Sequence, residues 1–315
     1  MNHYVVVYNP AAGQGAAGRR LLEVERLLEA CGVNYRLVAT RYPGDAIDRA
    51  EEVARSNHAT AIIAAGGDGT VNEVLNGLMR VRESGGEIPP IGVLPVGRGN
   101  DFAYGAGIPT DLRQSVRALT DGEIVSLDIG FLKGGLFPDG RYFGNGIGIG
   151  FDTIVGFEAA RMKRVKGFAA YLVGAVKTLV RYYRAPMLRI VTDGGEERRP
   201  CIQVSIMNGR RMGGAFHMAP NADPADGLLD LCIAGTPRRL QMLGLIVRYL
   251  KGTQATHPHI TVGSTSRFHV SSDDGPIAIH ADGETVSVDG TELEVRCVPG
   301  MISVLRPRPE PFAWA

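Results

Sequence analysis

A glycine-rich turn with one acid at its centre is the feature of this sequence that most directly suggests chemistry. Gly66-Gly67-Asp68-Gly69-Thr70 follows an apolar run over residues 59–65 and precedes a stretch with helical spacing. Glycines let backbone N–H groups approach an anion closely, and the start of a helix adds positive potential. Asp68 would repel phosphate unless a divalent cation lay between them. The pattern predicts a nucleotide and a metal ion together, although such a turn is also a common loop.

Elements on both sides of this turn must position it. Thr70 and Glu73 have the spacing of a capping box, which predicts that the helix begins at Val71. A second loop, Pro95-Val96-Gly97-Arg98-Gly99-Asn100-Asp101, follows the short apolar segment 91–94. Short apolar strands that alternate with helices predict a parallel, doubly wound sheet, with ligands at the carboxyl ends of its strands.

A competing motif lies near the N-terminus. Gly13-x-Gly15-x-x-Gly18 follows the strand 5–8 and precedes a helical stretch, which is the spacing of a dinucleotide fingerprint. A dinucleotide site would also place an acid after the second strand, but this sequence has Thr40-Arg41 there. An arginine suits a 2′-phosphate, so an NADP site stays an alternative at this point.

The longer string Gly66-Gly67-Asp68-Gly69-Thr70-Val71-Asn72-Glu73-Val74 resembles the signature of the diacylglycerol kinase catalytic domain. Bacterial lipid kinases, sphingosine kinases and ceramide kinases share that signature. Phosphofructokinases and NAD kinases carry the shorter core, but in them the Asn-Glu pair does not follow at once. The resemblance implies an N-terminal doubly wound α/β nucleotide-binding domain, similar to NAD kinase and phosphofructokinase, and a C-terminal domain of the β-sandwich type.

The resemblance also implies which residues contact ATP. Arg98 stands where the family usually has a threonine, so it could pair with phosphate, point to solvent or mark a chain without activity. The implied nucleotide-binding set is Asn9, Pro10, Gly13, Thr40, Gly66, Gly67, Asp68, Gly69, Thr70, Asn72, Glu73, Gly97, Arg98 and Asn100.

Magnesium and the general base follow from the same resemblance. Asp68, Asp101 and Asp128 would surround one Mg²⁺ through waters, and Asp68 and Asp101 are also expected to be catalytic. Glu284, in Asp282-Gly283-Glu284, would be the general base on the lipid hydroxyl, with His280 as the second choice. A structural Mg²⁺ is implied at Asp223, Asp226 and the Leu228 carbonyl. By pattern alone these two segments are an ordinary hairpin and turn.

The change along the chain from alternating strands and helices to short strands with glycine-rich turns predicts the domain organisation. Residues 1–130 form the α/β domain, to which residues 301–315 could return, and residues 131–300 form the β-rich lipid domain. Phe143–Asp152 is too rich in glycine for a standard strand, and one helix over 153–184, broken near Gly167, is expected to follow. Five Asp-Gly and Gly-Gly turns between short apolar segments are typical of a β-sandwich.

Charge and hydropathy limit the partners. With 34 basic and 33 acidic residues, the net charge is +1. The protein as a whole therefore has no strong positive potential of the kind that attracts nucleic acid. Four scattered cysteines predict buried thiols in a reducing cytoplasm, and no apolar run reaches the roughly 18 residues of a membrane span. Basic, apolar stretches around Arg161–Lys166 and over Arg238–Lys251 are either membrane-surface helices or core helices with charged ends. A homodimer is an open alternative.

These observations predict an ATP- and Mg²⁺-dependent lipid kinase that visits the membrane peripherally and transiently. It would transfer the γ-phosphoryl group to a lipid hydroxyl at an interdomain cleft, with diacylglycerol, giving phosphatidic acid, as the first expectation. The alternatives are an NAD kinase-like nucleotide kinase and a non-catalytic homologue that binds nucleotide or lipid.

Overall fold

A computed structural model describes residues 3–161, 168–181 and 183–308, with side chains in these ranges except at 159–161 and 168–172. Contacts divide the chain into two units. Unit 1 comprises Met1–Leu127 and Met301–Ala315, and unit 2 comprises Asp128–Gly300.

Unit 1 contains a parallel sheet of buried strands. Its strands are β1 (Tyr4–Tyr8), β2 (Tyr35–Ala39), β3 (Ala61–Gly66) and β4 (Ile91–Pro95), in the order β2-β1-β3-β4. The last part of β16 (Glu292–Arg306) adds a fifth strand, because Val304 pairs in parallel with Ile91. Since successive connections leave β1 in opposite directions, the switch point of the sheet lies between β1 and β3, where such folds bind ligands.

Five helices accompany this sheet: α1 (Ala12–Ala30), α2 (Asp45–Ser56), α3 (Asp68–Glu83), α4 (Asp101–Gly105) and α5 (Leu112–Asp121). Helix α3 begins at Asp68, so the predicted start at Val71 was wrong. The apolar spacing of α2 is that of a helix with one buried face, and Ile47, Ala50 and Val53 are buried as that spacing predicts.

Helices α2 and α3 approach each other at Gly77, in the interior of α3. A Cβ at this position would lie 2.8 Å from the Cβ of Ala50 and would also collide with the carbonyl oxygen of Ile47. A glycine inside a helix costs stability, so its presence here is explained by the close helix contact.

Unit 2 contains two antiparallel sheets with apolar side chains between them. One sheet has the order β16-β13-β8-β9, with β5 paired to β16 and β6 paired to β5. The other has the order β12-β11-β10-β7-β14-β15. The strands are β5 (Glu123–Gly134, which begins in unit 1), β6 (Phe137–Phe143), β7 (Gly146–Gly150), β8 (Met187–Thr192), β9 (Gly195–Pro200), β10 (Gln203–Met207), β11 (Leu229–Ala234), β12 (Ile260–Thr265), β13 (Arg267–Ser272), β14 (Ile279–Ala281) and β15 (Glu284–Ser287). This arrangement and the parallel sheet of unit 1 confirm the predicted fold class.

Strand β7 corrects the expectation that its segment is too glycine-rich for a strand. It lies inside the second sheet, between β10 and β14. Side chains from elsewhere occupy the positions where Cβ atoms would stand: Met207 sulfur at Gly146, and Asp152 and His280 at Gly148. The glycines therefore make room for neighbouring side chains within a regular ladder.

Helices α6 (Phe151–Arg161), α7 (Phe168–Arg181) and α8 (Arg239–Lys251) cover the second sheet, and a short 3-10 helix, Gln254–Thr256, follows α8. Ala175, Leu179 and Met242 pack with strand residues such as Cys232 in one apolar cluster. The expected break near Gly167 lies outside the described residues. Within the described ranges, each helix is either too short or too polar to cross a bilayer.

We predict that Gly77→Ala destabilises the protein by about 1–3 kcal/mol, because the added methyl overpacks the α2–α3 contact. The matched control is Gly244→Ala in α8, where a Cβ meets nothing within 4 Å. Helix propensity predicts that this control stabilises by about 0.5–1 kcal/mol. Urea unfolding of both variants measures the difference. Equal effects at the two positions would contradict the close helix contact.

Candidate active site

The segments that contain the residues predicted to bind nucleotide all begin at the carboxyl ends of the unit 1 strands. Asn9, Pro10 and Gly13 follow β1, and Thr40 follows β2 with its amide donating to the Tyr8 carbonyl at 2.8 Å. The Gly66 loop follows β3 and the Gly97 loop follows β4. The structure therefore brings these segments to one edge of one sheet, at its switch point.

The two glycine-rich loops touch through their backbones. The amides of Val96 and Gly97 both donate to the Gly66 carbonyl, at 3.1 and 2.9 Å. A Cβ at Gly97 would lie 2.8 Å from the amide nitrogen of Gly67. Any other residue at position 97 would therefore push the loops apart.

Asp68 and Asp101 carry the two carboxylates of this edge. Asp68 Oδ1 accepts the amide of Phe102 at 3.0 Å, at the start of α4. A Cβ at Gly99 would lie 2.7 Å from Asp68 Oδ2 and 3.5 Å from Asp101 Oδ2, so both oxygens face the same glycine. Two hard carboxylate oxygens beside an open backbone form a donor set that suits hydrated Mg²⁺.

The predicted capping box is absent, because Thr70 and Glu73 serve other partners. The Thr70 hydroxyl accepts from Asn9 Nδ2 at 3.0 Å and so joins the β1 and β3 loops. The Glu73 carboxylate accepts the amides of Gly44 and Ala46, at 2.9 and 3.1 Å, and caps the start of α2. Sequence spacing suggested a local bond, whereas the packing of α3 beside α2 provides a more distant one. Asn72 is buried inside α3, where its side-chain oxygen accepts from Asn76 at 3.2 Å.

Arg98 is exposed and donates to the side-chain oxygen of Gln14. Gly13, Gln14 and Gly15 all have positive φ, at 63°, 59° and 80°, which is unfavourable for glutamine. Arg98 therefore holds the loop after β1 in a strained conformation and connects it to the loop after β4.

In unit 2, the Asp128 carboxylate accepts hydrogen bonds from backbone amides. Its Oδ2 accepts from Gly227 at 2.6 Å and its Oδ1 from Gly300 at 2.7 Å. Its own amide donates to the Pro224 carbonyl at 2.7 Å. The structure thus places Asp128 against the loop that carries Asp223 and Asp226, a link that the sequence analysis missed.

That loop is built from two Asx-type turns. Asp223 Oδ1 accepts from Ala225 at 3.1 Å, and Asp226 Oδ1 accepts from the Leu228 amide at 2.9 Å. Burial, with the negative charges of Asp226 and Asp223, raises the pKa of nearby Asp230 to about 6. An excess of negative charge at this loop suits a bound cation, together with the Leu228 carbonyl.

Glu284 is exposed at the start of β15, after an Asp-Gly hairpin turn. Asp282 anchors that turn with φ of 48° and a carboxylate that accepts three amides, from Gly144 at 2.7 Å and from Asn145 and Gly146 at 2.9 Å. The predicted hairpin is therefore present, and Asp282 fixes the turn that presents Glu284.

Two domain models match this chain. The model described as the diacylglycerol kinase catalytic domain covers residues 3–132, and the YegS C-terminal NAD kinase beta sandwich-like domain covers residues 145–306. A diacylglycerol kinase of Mycobacterium tuberculosis is 31% identical over 304 residues, which span 95% of this chain and 94% of that protein. The chain belongs to the diacylglycerol kinase catalytic-domain family. Another relative, the diacylglycerol kinase of Bacillus subtilis, is 30% identical over 89% of this chain and 88% of its own.

Solved structures agree in fold. A diacylglycerol kinase from Bacillus anthracis has a TM-score of 0.70 at 21% identity, over 97% of this chain and 96% of its own. An NAD kinase from Archaeoglobus fulgidus, solved with ATP, has a TM-score of 0.50 at 15% identity, over 97% and 94% of the two chains. Membership of the family supports a kinase that acts on a lipid alcohol.

This family member also has a largely buried polar cluster, with Ser205 buried and Asp152 and His280 partly buried, that sequence patterns did not indicate. Asp152 and His280 both lie over Gly148 of β7, and Ser205 donates to Asp152 Oδ2 at 3.4 Å. Burial raises the pKa of Asp152 to about 7 and lowers the pKa of His280 to about 4, so each group favours its neutral form. The one sequence feature that could have indicated this cluster is Asp152, which comes directly after a glycine-rich strand.

A second group missed from sequence lies on the other sheet of unit 2. Ligand atoms of His269, Glu292 and Glu294 lie within 4.8 Å of one another, and His269 Nε2 is 2.6 Å from Glu292 Oε1. His269 and Glu294 line a cavity of about 490 Å³ with Phe131 and Arg296. None of the residues predicted for the reaction lines this cavity.

The Asp152 cluster predicts opposite pH effects for two isosteric variants. Folded Asp152 keeps its proton while an unfolded aspartate has lost it, so its stabilising contribution falls as the pH rises from about 4 to about 7. Folded His280 stays neutral while an unfolded histidine gains a proton, so its contribution falls as the pH drops from about 6.5 to about 4.

Relative to wild type, the free energy of unfolding of Asp152→Asn should therefore increase with pH, by at most about 1.4 kcal/mol per unit. That of His280→Asn should decrease with pH over the same range. Urea unfolding at four pH values between 4.5 and 7.5 measures both slopes. Parallel curves for all three proteins would show that neither buried group has the shifted pKa.

Proposed function

We propose that this chain transfers the γ-phosphoryl group of ATP to the hydroxyl of a membrane lipid, with diacylglycerol as the first candidate acceptor and phosphatidic acid as its product. The observation that carries the proposal is the pair of backbone-packed glycine loops with Asp68 and Asp101 facing Gly99. Family membership and the names of the relatives support the same reaction.

Nucleotide binding is assigned to the sheet edge of unit 1. The amides of the Gly66–Gly69 turn and the start of α3 provide donors and positive potential for phosphate. Asn9 and Thr70 hold the β1 and β3 loops together, and Thr40 extends the same edge. A phosphate group gains from such fixed donors because they need no reorganisation during the reaction.

Asp68 and Asp101 are proposed to hold Mg²⁺, with Asp128 a further predicted ligand. When bound, the ion would neutralise charge on the transferring phosphoryl group. Asp223, Asp226 and the Leu228 carbonyl are proposed to hold a second, structural Mg²⁺, whose role would be to relieve repulsion among the acids of that loop.

Glu284 is proposed as the general base. An alcohol is a weak nucleophile until its proton leaves, and an exposed carboxylate on an anchored turn can accept that proton. Asp282 contributes by positioning, since its three accepted amide bonds restrict the turn. The enzyme is proposed to associate with the membrane peripherally and transiently while it works.

The decisive test is transfer from labelled ATP, with Mg²⁺, to a panel of lipids in mixed micelles and to NAD. We predict that the wild type phosphorylates a lipid. The rate of this phosphorylation should fall by a factor of about 10²–10⁴ in Glu284→Gln and in Asp68→Asn. The matched controls are Asp289→Asn, in the next Asp-Gly turn, and Asp48→Asn, at an exposed position of α2. Both variants should retain activity. Labelled NAD instead of lipid would favour an NAD kinase-like enzyme, and ATP binding without any product would favour a non-catalytic homologue.

A separate prediction concerns Arg98. Because Arg98 holds the Gln14 loop, Arg98→Ala should raise KM for ATP about three- to tenfold with little change in kcat. Gln14→Ala should have a similar effect, and the double variant should be no worse than either single one. Steady-state kinetics with varied ATP measures these changes. Fully additive effects would mean that Arg98 acts on phosphate directly rather than through the loop.

A further inference from the structure

Helices α7 and α8 present an exposed apolar surface that the reaction does not explain. Side chains with the same spacing, three and then four residues apart, are exposed on both helices. They are Val173 (46%), Val176 (45%) and Val180 (68%) on α7 and Leu240 (82%), Leu243 (41%) and Val247 (49%) on α8. We call this set the α7–α8 face.

The opposite sides of both helices are also apolar. Ala175 and Leu179 of α7 and Leu245 and Ile246 of α8 are buried in the same cluster. A helix with apolar residues on two opposite sides is typical of full burial, because an amphipathic surface helix has a polar outer side. The α7–α8 face therefore lacks the polar covering that a solvent-facing side would carry.

The two helices form one surface. Helices α7 and α8 contact each other. Tyr183, just after α7, donates its hydroxyl to the carbonyl of Pro237, just before α8. The guanidinium of Arg239 also lies over the ring of Tyr183, 5.5 Å from its centre. These contacts tie the end of α7, with Val180, to the start of α8, with Leu240.

The charge around this face has one sign. Although acidic and basic residues nearly balance over the whole chain, the segments 159–192 and 231–272 contain no aspartate or glutamate. Two described basic residues of these segments have acidic partners: Lys177 pairs with the buried Glu158, and Arg189, outside the two helices, pairs with Glu196. The described basic side chains in and beside the two helices are Lys177, Arg181, Arg184, Arg238, Arg239, Arg248 and Lys251.

We propose that the α7–α8 face docks the protein on a bilayer that contains anionic lipids. Its valines and leucines would enter the boundary between headgroups and acyl chains, and its arginines and lysines would lie at the lipid phosphates. This inference rests on the proposed function only in that a lipid kinase needs access to a bilayer. It names the surface and the lipid charge that the function leaves open.

A second copy of the chain fits this surface less well. A twofold contact would place the face against itself, so basic side chains would meet basic side chains with no acid to offset them. An anionic bilayer satisfies the apolar residues and the arginines and lysines at once.

Vesicle co-sedimentation without ATP tests the docking surface independently of catalysis. Wild type should bind vesicles of phosphatidylcholine and phosphatidylglycerol more tightly than pure phosphatidylcholine, and the preference should fall with salt. The double variant Val180→Asp/Leu240→Asp should bind at least about tenfold more weakly. The matched control, Leu22→Asp/Leu136→Asp, changes leucines that are each 66% exposed elsewhere, and it should bind as wild type does.

A second variant tests the charge. Arg181→Gln/Lys251→Gln should lose about fivefold in binding per charge on anionic vesicles at low salt and nothing on neutral ones. Circular dichroism melts establish that all variants are folded. The proposal fails if Val180→Asp/Leu240→Asp binds vesicles like wild type, or if wild type shows no preference for anionic lipid.

Oligomeric state and activity separate the remaining explanations. If the aspartate variant turns a dimer into a monomer and leaves vesicle binding intact, the face is a dimer contact and the membrane proposal is wrong. If wild type binds anionic vesicles through this face but phosphorylates no lipid, the docking surface stands and the proposed reaction falls. A soluble short-chain diacylglycerol should be phosphorylated equally by wild type and the aspartate variant, because docking is then unnecessary.

Discussion

Backbone contact between two glycine-rich loops is the constraint on which the candidate active site depends. Strands β3 and β4 are parallel neighbours, so their loops leave the sheet at the same level and compete for the same space. Gly67 and Gly97 resolve this competition by having no side chains, and the Gly66 carbonyl then accepts two amides from the other loop. As a result two carboxylates, Asp68 and Asp101, are held facing one point. Their mutual repulsion, added to that of phosphate, is the electrostatic reason for a divalent cation.

Several carboxylates in this protein organise the backbone, including some that are also assigned a role in the proposed reaction. Asp128 and Asp282 each accept amides on both oxygens, and Glu73 accepts two at the start of α2. Such acids act as fixed hydrogen-bond acceptors and stabilise loops that would otherwise leave amides unpaired. Glu284 is exposed at a strand end two residues after Asp282. One acid of that motif therefore fixes the turn, and the other is the proposed general base.

Sequence patterns predicted the parallel sheet and the antiparallel sandwich because buried strands and Asp-Gly turns are encoded locally. They failed where a distant contact decides the outcome. The spacing of Thr70 and Glu73 matches a capping box, yet both side chains bind other segments because α2 and β1 lie within reach. Strand β7 looked too glycine-rich, since a sequence does not reveal that Met207 and Asp152 fill the spaces left by the missing Cβ atoms. The placement of the nucleotide-binding loops at one sheet edge was predictable, whereas the individual hydrogen-bond partners of their residues were not.

The last strand has a consequence for biosynthesis. Unit 1 begins at the N-terminus, but its fifth strand is the end of β16, which the ribosome makes only after all of unit 2. At about 5–20 residues per second, the outer edge of β4 would wait roughly 10 to 40 s for that partner. An uncovered strand edge can pair with other chains. The nascent protein therefore passes through a period in which the parallel sheet of unit 1 lacks its fifth strand. A chain cut before residue 301 would lack that strand permanently.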